Sequence, residues 1–308
     1  MGGAGPVDSV PVALAPASPV PTTLTPLPAE GFDALLPPQM AAKAETIGVG
    51  KAGQDLVAML TLGVLAGAFI ALGAIFSVTV SAESSELPFG LARLLTGLSF
   101  SLGLILVIVA GAELFTGNVL LVMGWASRRI RTRSLLRNWT LVFLANLVGA
   151  LGTVVLVVGS GWYELGAGSV GVSLLATAEG KATRPFMDVL LAGILCNALV
   201  CLAVWLTYSA RTTTDRILAI VPPITAFVAA GFEHSVANMF YLPAAIAVRL
   251  VAPPEFWTET GTTAETFAAV DLDGFIANLV PATIGNVIGG AVLVGAVYWV
   301  AYLRKAPR

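Results

Sequence analysis

The chain has 308 residues, of which 57% are hydrophobic and 11% charged, and its mean hydropathy is +0.89. Soluble domains average about 45–50% apolar and about 25% charged residues, so a soluble globular protein is excluded. A net charge of −2 leaves no basic footprint for nucleic acid.

Residues 1–30 are rich in Pro, Ala, Ser, Thr and Val. They contain neither a basic n-region nor a single apolar run, so a disordered extension fits better than a secretory signal. Residues 31–54 form an N-terminal segment. Apolar residues return at Gly31 to Leu36, the pair Pro37-Pro38 ends that run, and Pro38 to Lys51 mixes apolar and polar positions as a short amphipathic helix at a membrane surface does.

Residues 55–308 read as an all-α integral membrane domain. A helix rising about 1.5 Å per residue needs about 20 apolar residues to cross about 30 Å of hydrocarbon. Six runs qualify: Leu56 to Val80, Leu91 to Trp125, Leu136 to Val158, Phe186 to Tyr208, Ile217 to Val248 and Phe275 to Leu303. The second and fifth are too long for a simple span. Each has a polar, glycine-bearing stretch in its middle, Gly111 to Asn118 and Gly231 to Asn238. Cys196 and Cys201 share the fourth run; five residues apart, they point to different helix faces, which suits packing rather than a disulfide or a metal pair.

Twelve basic residues, five of them between Arg128 and Arg137, fall on one side of this topology, and only Arg93, Lys181, Arg184 and Arg249 fall on the other. The positive-inside rule therefore puts both termini in the cytoplasm of a multi-pass protein of the inner (plasma) membrane.

The two interruptions match. Gly111, Glu113 and Asn118 have the spacing of Gly231, Glu233 and Asn238, and Asn146 to Ala150 resembles Asn286 to Gly290. The expected architecture is two three-helix repeats with broken second and fifth helices; an odd number of spans per repeat forces the copies into inverted orientations. Such breaks point to a solute path. Backbone that leaves helical form at membrane depth must be buried in protein or line water, and its free N–H groups favour an anion. Glu113 and Glu233 are expected to anchor the two breaks by accepting hydrogen bonds from loop N–H groups, since a pore-lining carboxylate would repel anions.

His234, the only histidine, follows Glu233. It reads either as a buried hydrogen-bonded spacer or as a proton-exchanging group whose ordinary pKa near 6.5 suits a weak-acid anion. With no HExxH motif and no thiolate beside it, metal binding is disfavoured. Thr116 can donate to the same solute or to its own helix backbone. Asn197 interrupts an apolar span, with a broken helix or the solute as its partner. Lys181, near the outer end of the fourth span, reads as a solvated lysine or as a cation drawing anions inward.

The stretches Gly111 to Thr116 (GAELFT), Asn197 to Ala203 (NALVCLA) and Gly231 to Phe240 (GFEHSVANMF) resemble the formate/nitrite transporter family, the formate channels most closely. Further similarity runs through Phe100 to Leu104, Pro254 to Trp257 and Ile284 to Gly290, and the resemblance covers about Gly31 to the C-terminus. It implies an aquaporin-like fold and a homopentamer in which each protomer has its own pore. It assigns the central histidine to His234, the loop threonine to Thr116, the span-four asparagine to Asn197, the vestibule lysine to Lys181, and the apolar constrictions to Phe100, Leu104, Phe115, Val200 and Phe227. No cofactor is implied.

The expected function is passage of formate and related small monovalent anions (nitrite, acetate, lactate, hydrosulfide), with the anion either protonated at His234 or carried charged past His234 and Thr116. A nitrite channel and a neutral-solute channel are the rivals. An intramembrane hydrolase built on Glu233 and His234 lacks a second acid or nucleophile in a recognisable motif, and adjacent helical positions seldom converge.

Overall fold

The computed structural model describes residues 1–2 and 34–305. The chain divides into two compact units, Met1–Asp33 and Ala34–Arg308. Residues 3–30 of the expected disordered extension and the first three residues of the expected N-terminal segment lie outside the described residues. The second unit is all-helical among the described residues.

Helix α1 (Pro37–Ala52) begins on its proline pair, which fits the first turn because those N–H groups have no helical partner anyway. It buries one stripe, Met40, Ala41, Ala44, Gly48 and Ala52, against the rest of the unit. Helix α2 (Leu56–Ser81) starts where Asp55 accepts from the N–H groups of Val57 and Ala58 at 3.0 Å. Asp55→Ala is expected to cost about 1 kcal/mol, the usual worth of such a cap, read as a small fall in thermal midpoint.

Helix α3 (Phe89–Ala110) follows Pro88 and ends on Gly111, whose φ of 84° is a left-handed conformation that glycine adopts without strain. After the break come two short helices, α4 (Phe115–Asn118) and α5 (Val122–Ala126), joined by a tight turn. Helix α6 (Thr132–Gly159) follows with 28 residues, and α7 (Ser169–Ala182) comes next. Helix α8 (Phe186–Ser209) starts after Pro185. Helix α9 (Thr213–Ala229) is opened by a reciprocal pair of bonds between Thr212 and Asp215.

A second break at Ala230–His234 separates α9 from α10 (Ser235–Val251), with Gly231 at φ 72°. Helix α11 (Pro254–Thr260) turns away from α10 by 108°. Helix α12 (Leu272–Val287) continues to Leu303 with wider, π-helical turns.

Five described segments are long and apolar enough to cross a bilayer: α2, α3, α6, α8 and Ala264–Leu303. The run expected as one interrupted fifth span is divided into α9 and α10, 17 residues each, about 26 Å at the helical rise. Helix α7 lies in a stretch that the apolar runs leave unassigned, because at only 14 residues it falls short of a span. It moves Lys181 off the fourth span and onto the end of its own helix.

Large apolar side chains that the unit leaves uncovered, among them Val155, Leu156, Leu250 and Phe89 at 72–80% exposure, suit contact with lipid rather than water. Inside, helices approach closely through small residues. A Cβ on Gly149 would overlap the Val64 carbonyl where α6 crosses α2, and one on Gly289 would overlap the Ile194 carbonyl where α12 crosses α8.

Candidate functional site

The two breaks are held by the same hydrogen-bond pattern. In the first, Asn146 of α6 accepts from the Phe115 N–H at 2.9 Å and donates to the carbonyls of Glu113 at 2.9 Å and Gly63 at 2.8 Å. In the second, Asn286 of α12 accepts from the Ser235 N–H at 2.8 Å and donates to Glu233 at 2.8 Å and Gly193 at 2.9 Å. The carboxylates follow suit. Glu113 accepts from Lys51 at 3.1 Å and Asn118 at 2.7 Å; Glu233 accepts from Lys181 at 2.8 Å and Asn238 at 2.7 Å. Each of those asparagines donates onward, Asn118 to Asn138 and Asn238 to Asn278, and these return to the carbonyls of Lys51 and Lys181.

This corrects one expectation. The Phe115 and Ser235 N–H groups go to Asn146 and Asn286, those of Glu113 and Glu233 go to the carbonyls of Leu62 and Ala192, and the two carboxylates bond side chains, chiefly of lysine and asparagine, instead. The reason is charge: a carboxylate only 2–5% exposed needs a cation to offset its desolvation, and a neutral amide serves a loop N–H without that cost. Lys51 is the matched partner of Lys181, a residue that the sequence patterns do not single out by themselves. Its signal is the 130-residue offset shared by the pairs Lys51 and Lys181 and Gly63 and Gly193.

The halves also differ. Lys51 bridges Glu113 and the Asn118 Oδ1 at 2.8 Å, whereas the Asn238 Oδ1 has no hydrogen-bond partner among the described residues. Glu233 gains a second cation: Arg184 donates to its Oε1 at 3.2 Å and to the Gly231 carbonyl at 3.0 Å. At the position of Gly67 in the first half stands Asn197, and a Cβ on Gly290 would meet its amide, so a glycine clears the room this side chain occupies.

The breaks meet at the centre. Thr116 Oγ1 lies 2.9 Å from His234 Nε2. His234 caps α10, its Nδ1 accepting from the Ala237 N–H at 3.1 Å. With Nδ1 so used, the neutral ring carries its proton on Nε2 and donates to the Thr116 hydroxyl, whose own hydrogen is then free to point elsewhere. Asn197 donates to the carbonyls of Thr116 at 3.1 Å and Asn286 at 2.6 Å, tying the first break to the second half. Cys201 donates to the same Thr116 carbonyl at 3.4 Å, and both cysteines are free.

Two cavities flank this centre. One of about 320 Å³ is lined by Lys43, Lys51, Arg216, Glu113 and Asn118; the other, of about 490 Å³, by Arg93, Lys181, Arg184, Glu233 and His234. Between them a space of only about 10 Å³ is lined by Ile70, Phe100, Leu104, Leu114, Val200, Ile224, Phe227 and His234. Four of the five expected constriction residues are therefore together. Phe115 is not among them: it packs edge-on to Phe143 at 5.1 Å, and Leu114 lines the narrow space in its place. Phe227 stacks on the His234 ring at 5.9 Å and meets Phe100 edge-on at 5.6 Å. Lys181 stands in the larger cavity, bonded to Glu233 and 5.5 Å from the Tyr241 ring centre, apart from the central pair.

Two cation-lined cavities joined by an apolar neck, on an all-helical frame of membrane-spanning length, define a multi-pass membrane protein of the aquaporin-like kind whose helices break at the solute path. Its sequence from residue 38 to 300 matches the model of the formate/nitrite transporter family, and the chain belongs to that family. It is 47% identical over 275 residues to the formate channel FocA of Escherichia coli (strain K12), covering 89% of this chain and 96% of that one. It is 41% identical over 273 residues to the formate channel FocA of Haemophilus influenzae, covering 88% and 95%. Among solved structures it is similar to a pentameric formate channel with formate bound, with a TM-score of 0.77 at 40% identity over 81% of this chain and 98% of that one. An ion channel of the same family gives a TM-score of 0.72 at 29% identity, over 85% and 98%.

Proposed function

We propose that this chain is a channel for formate and related small monovalent anions, assembled as a homopentamer in the inner (plasma) membrane, with six spans arranged as two inverted repeats and both termini cytoplasmic. The Thr116–His234 hydrogen bond, whose imidazole lines the neck between the two cation-lined cavities, carries this reading. The matched networks around Glu113 and Glu233 support the repeat, and the relatives named above support the substrate and the assembly.

An anion approaching from either cavity meets cations first and the apolar neck next. Stripping water from a charge is costly there unless polar groups replace the water. The neutral His234 spends its Nε2 hydrogen on Thr116, so the Thr116 hydroxyl hydrogen that this frees is the donor offered to an oxyanion, with the imidazole holding it in place. Proton exchange needs more. A second ring proton must sit on Nδ1, which now accepts from Ala237, so protonating His234 sets two N–H groups against each other and releases the cap of α10. The resting channel therefore holds its anion by hydrogen bonds, and acid conditions open the proton route.

His234→Gln tests this, since glutamine donates a hydrogen bond and cannot titrate. Formate flux into proteoliposomes at neutral pH is expected to stay within about tenfold of the parent protein, the range one hydrogen-bond donor spans, while the rise in flux on acidification disappears. A variant that keeps the rise refutes proton exchange at this residue. Flux assays with formate, nitrite, lactate and hydrosulfide beside glycerol separate the substrate readings, and passage of glycerol at the rate of formate favours a neutral-solute channel.

A further inference from the structure

We infer that Arg216 is an anion-docking residue at the cytoplasmic mouth, selective for planar anions that present two oxygens. This rests on the channel reading and on its orientation. Arg216 stands in the first turn of α9, is half-buried and lines the 320 Å³ cavity. Its backbone N–H donates to the Thr212 carbonyl at 3.2 Å, while its guanidinium has no hydrogen-bond or ion-pair partner among the described residues.

Every other cation lining the two cavities is engaged. Lys43 donates to the Tyr208 carbonyl at 3.0 Å, and Lys51 to Glu113 and Asn118. In the opposite cavity Lys181 and Arg184 share Glu233, and Arg93 donates through its guanidinium to the carbonyls of Val228 and Ala229 at the end of α9. Asp215, next to Arg216 in sequence, is occupied by the N–H groups of Arg211 and Thr212.

Net charge separates the two mouths. The outer cluster of Lys181, Arg184 and Glu233 keeps one net positive charge, whereas Lys51 and Glu113 cancel. Without Arg216 the inner break would offer an entering anion no net attraction beyond Lys43, whose ammonium is already committed. A guanidinium supplies paired, coplanar N–H donors that fit both oxygens of a carboxylate or of nitrite, while an ammonium supplies a point charge. A one-atom anion such as hydrosulfide gains from the charge and nothing from the fork.

The test is the concentration of anion that half-saturates current from each face of the full-length channel, inserted in one orientation into planar bilayers. Arg216→Gln is expected to raise the half-saturating formate at the inner face about five- to tenfold, the effect of losing a charge-assisted pair, and to leave the outer face unchanged. The unchanged outer face also reports a correctly folded channel. Arg216→Lys is expected to weaken formate and nitrite to a similar degree while hydrosulfide keeps its parental value. An unaltered inner half-saturation in Arg216→Gln overturns the proposal, as does full recovery of formate by Arg216→Lys. A parent protein that passes no formate from either face removes the channel reading itself, a result distinct from either of these.

Discussion

Replacing Glu233 by Leu is expected to damage the protein more than the same change at Glu113. Glu233 is 2% exposed and offsets two cations, so its loss strands Lys181 and Arg184 together beside the second break. Removing one member of a buried ion pair costs about 3–5 kcal/mol, and the value here falls toward the lower end because the Arg184 side chain remains 32% exposed to the cavity. Two further losses accompany it: Asn238 loses its acceptor, and the loop carrying His234 loses the anchor next to it in sequence. Glu113 faces a single cation, Lys51, whose side chain is 29% exposed, so Glu113→Leu leaves less uncompensated charge. Thermal unfolding of the detergent-solubilised protein measures the difference. Glu233→Gln divides the effect, since it keeps the shape and an acceptor for Asn238 but not the charge. Equal midpoints for Glu233→Leu and Glu113→Leu would sink the claim that the second cation matters. In flux assays the freed cations of Glu233→Leu are expected to hold formate and slow its release.

The two breaks are legible in the sequence because Gly111 and Gly231 stand inside apolar runs, and a polar pentad at membrane depth needs a reason. The repeat is legible from spacing, and the structure adds that the matched bonding extends to Lys51 and Lys181, outside the runs. Helix α7 is illegible because its 14 residues are neither long enough for a span nor strongly patterned. The exchange of roles between the glutamates and Asn146 or Asn286 is likewise hidden: sequence tells which residues stand near a break in the chain, not which helix passes beside it. The family resemblance assigns Phe115 to the pore, a placement that position in the chain does not determine. Its neighbour Leu114 faces the neck, and the one-residue difference depends on how the break turns.

Asn197 shows what departure from the repeat accomplishes. Gly67, its match, lets α2 touch the Asn146 backbone directly, while Asn197 spans the equivalent distance with an amide and reaches across to Thr116. A symmetric protein would have two equal breaks and no preferred centre. The asparagine, with Gly290 cleared to receive it, fixes the Thr116 backbone to the half of the molecule that carries His234, and so sets the hydroxyl against the imidazole.

That dependence makes Asn286 the most sensitive of the supporting residues. Asn286→Leu removes three hydrogen bonds at a position with no exposure and leaves the Ser235 N–H and the Glu233 carbonyl unpaired, while the Gly193 carbonyl keeps only its place in the ladder of α8. Each buried unpaired group costs about 1–3 kcal/mol, so the loss is on the order of 3 kcal/mol or more even where a carbonyl finds another donor. Asn146→Leu removes the matching three bonds and is expected to cost a similar amount. Their functional consequences should diverge. Ser235 directly follows His234, so loosening it shifts the imidazole and the cap of α10, whereas Asn146 holds Phe115, and the adjacent Thr116 keeps its separate tie to Asn197. Formate flux is therefore expected to fall further in Asn286→Leu than in Asn146→Leu at equal loss of stability. Asn286→Asp retains the acceptor for the Ser235 N–H and is expected to recover part of the flux while remaining destabilised. If Asn286→Leu conducts formate like the parent protein, the second break keeps its shape without the bridge, and the placement of His234 must come from its cap on Ala237, its bond to Thr116 and its stack on Phe227.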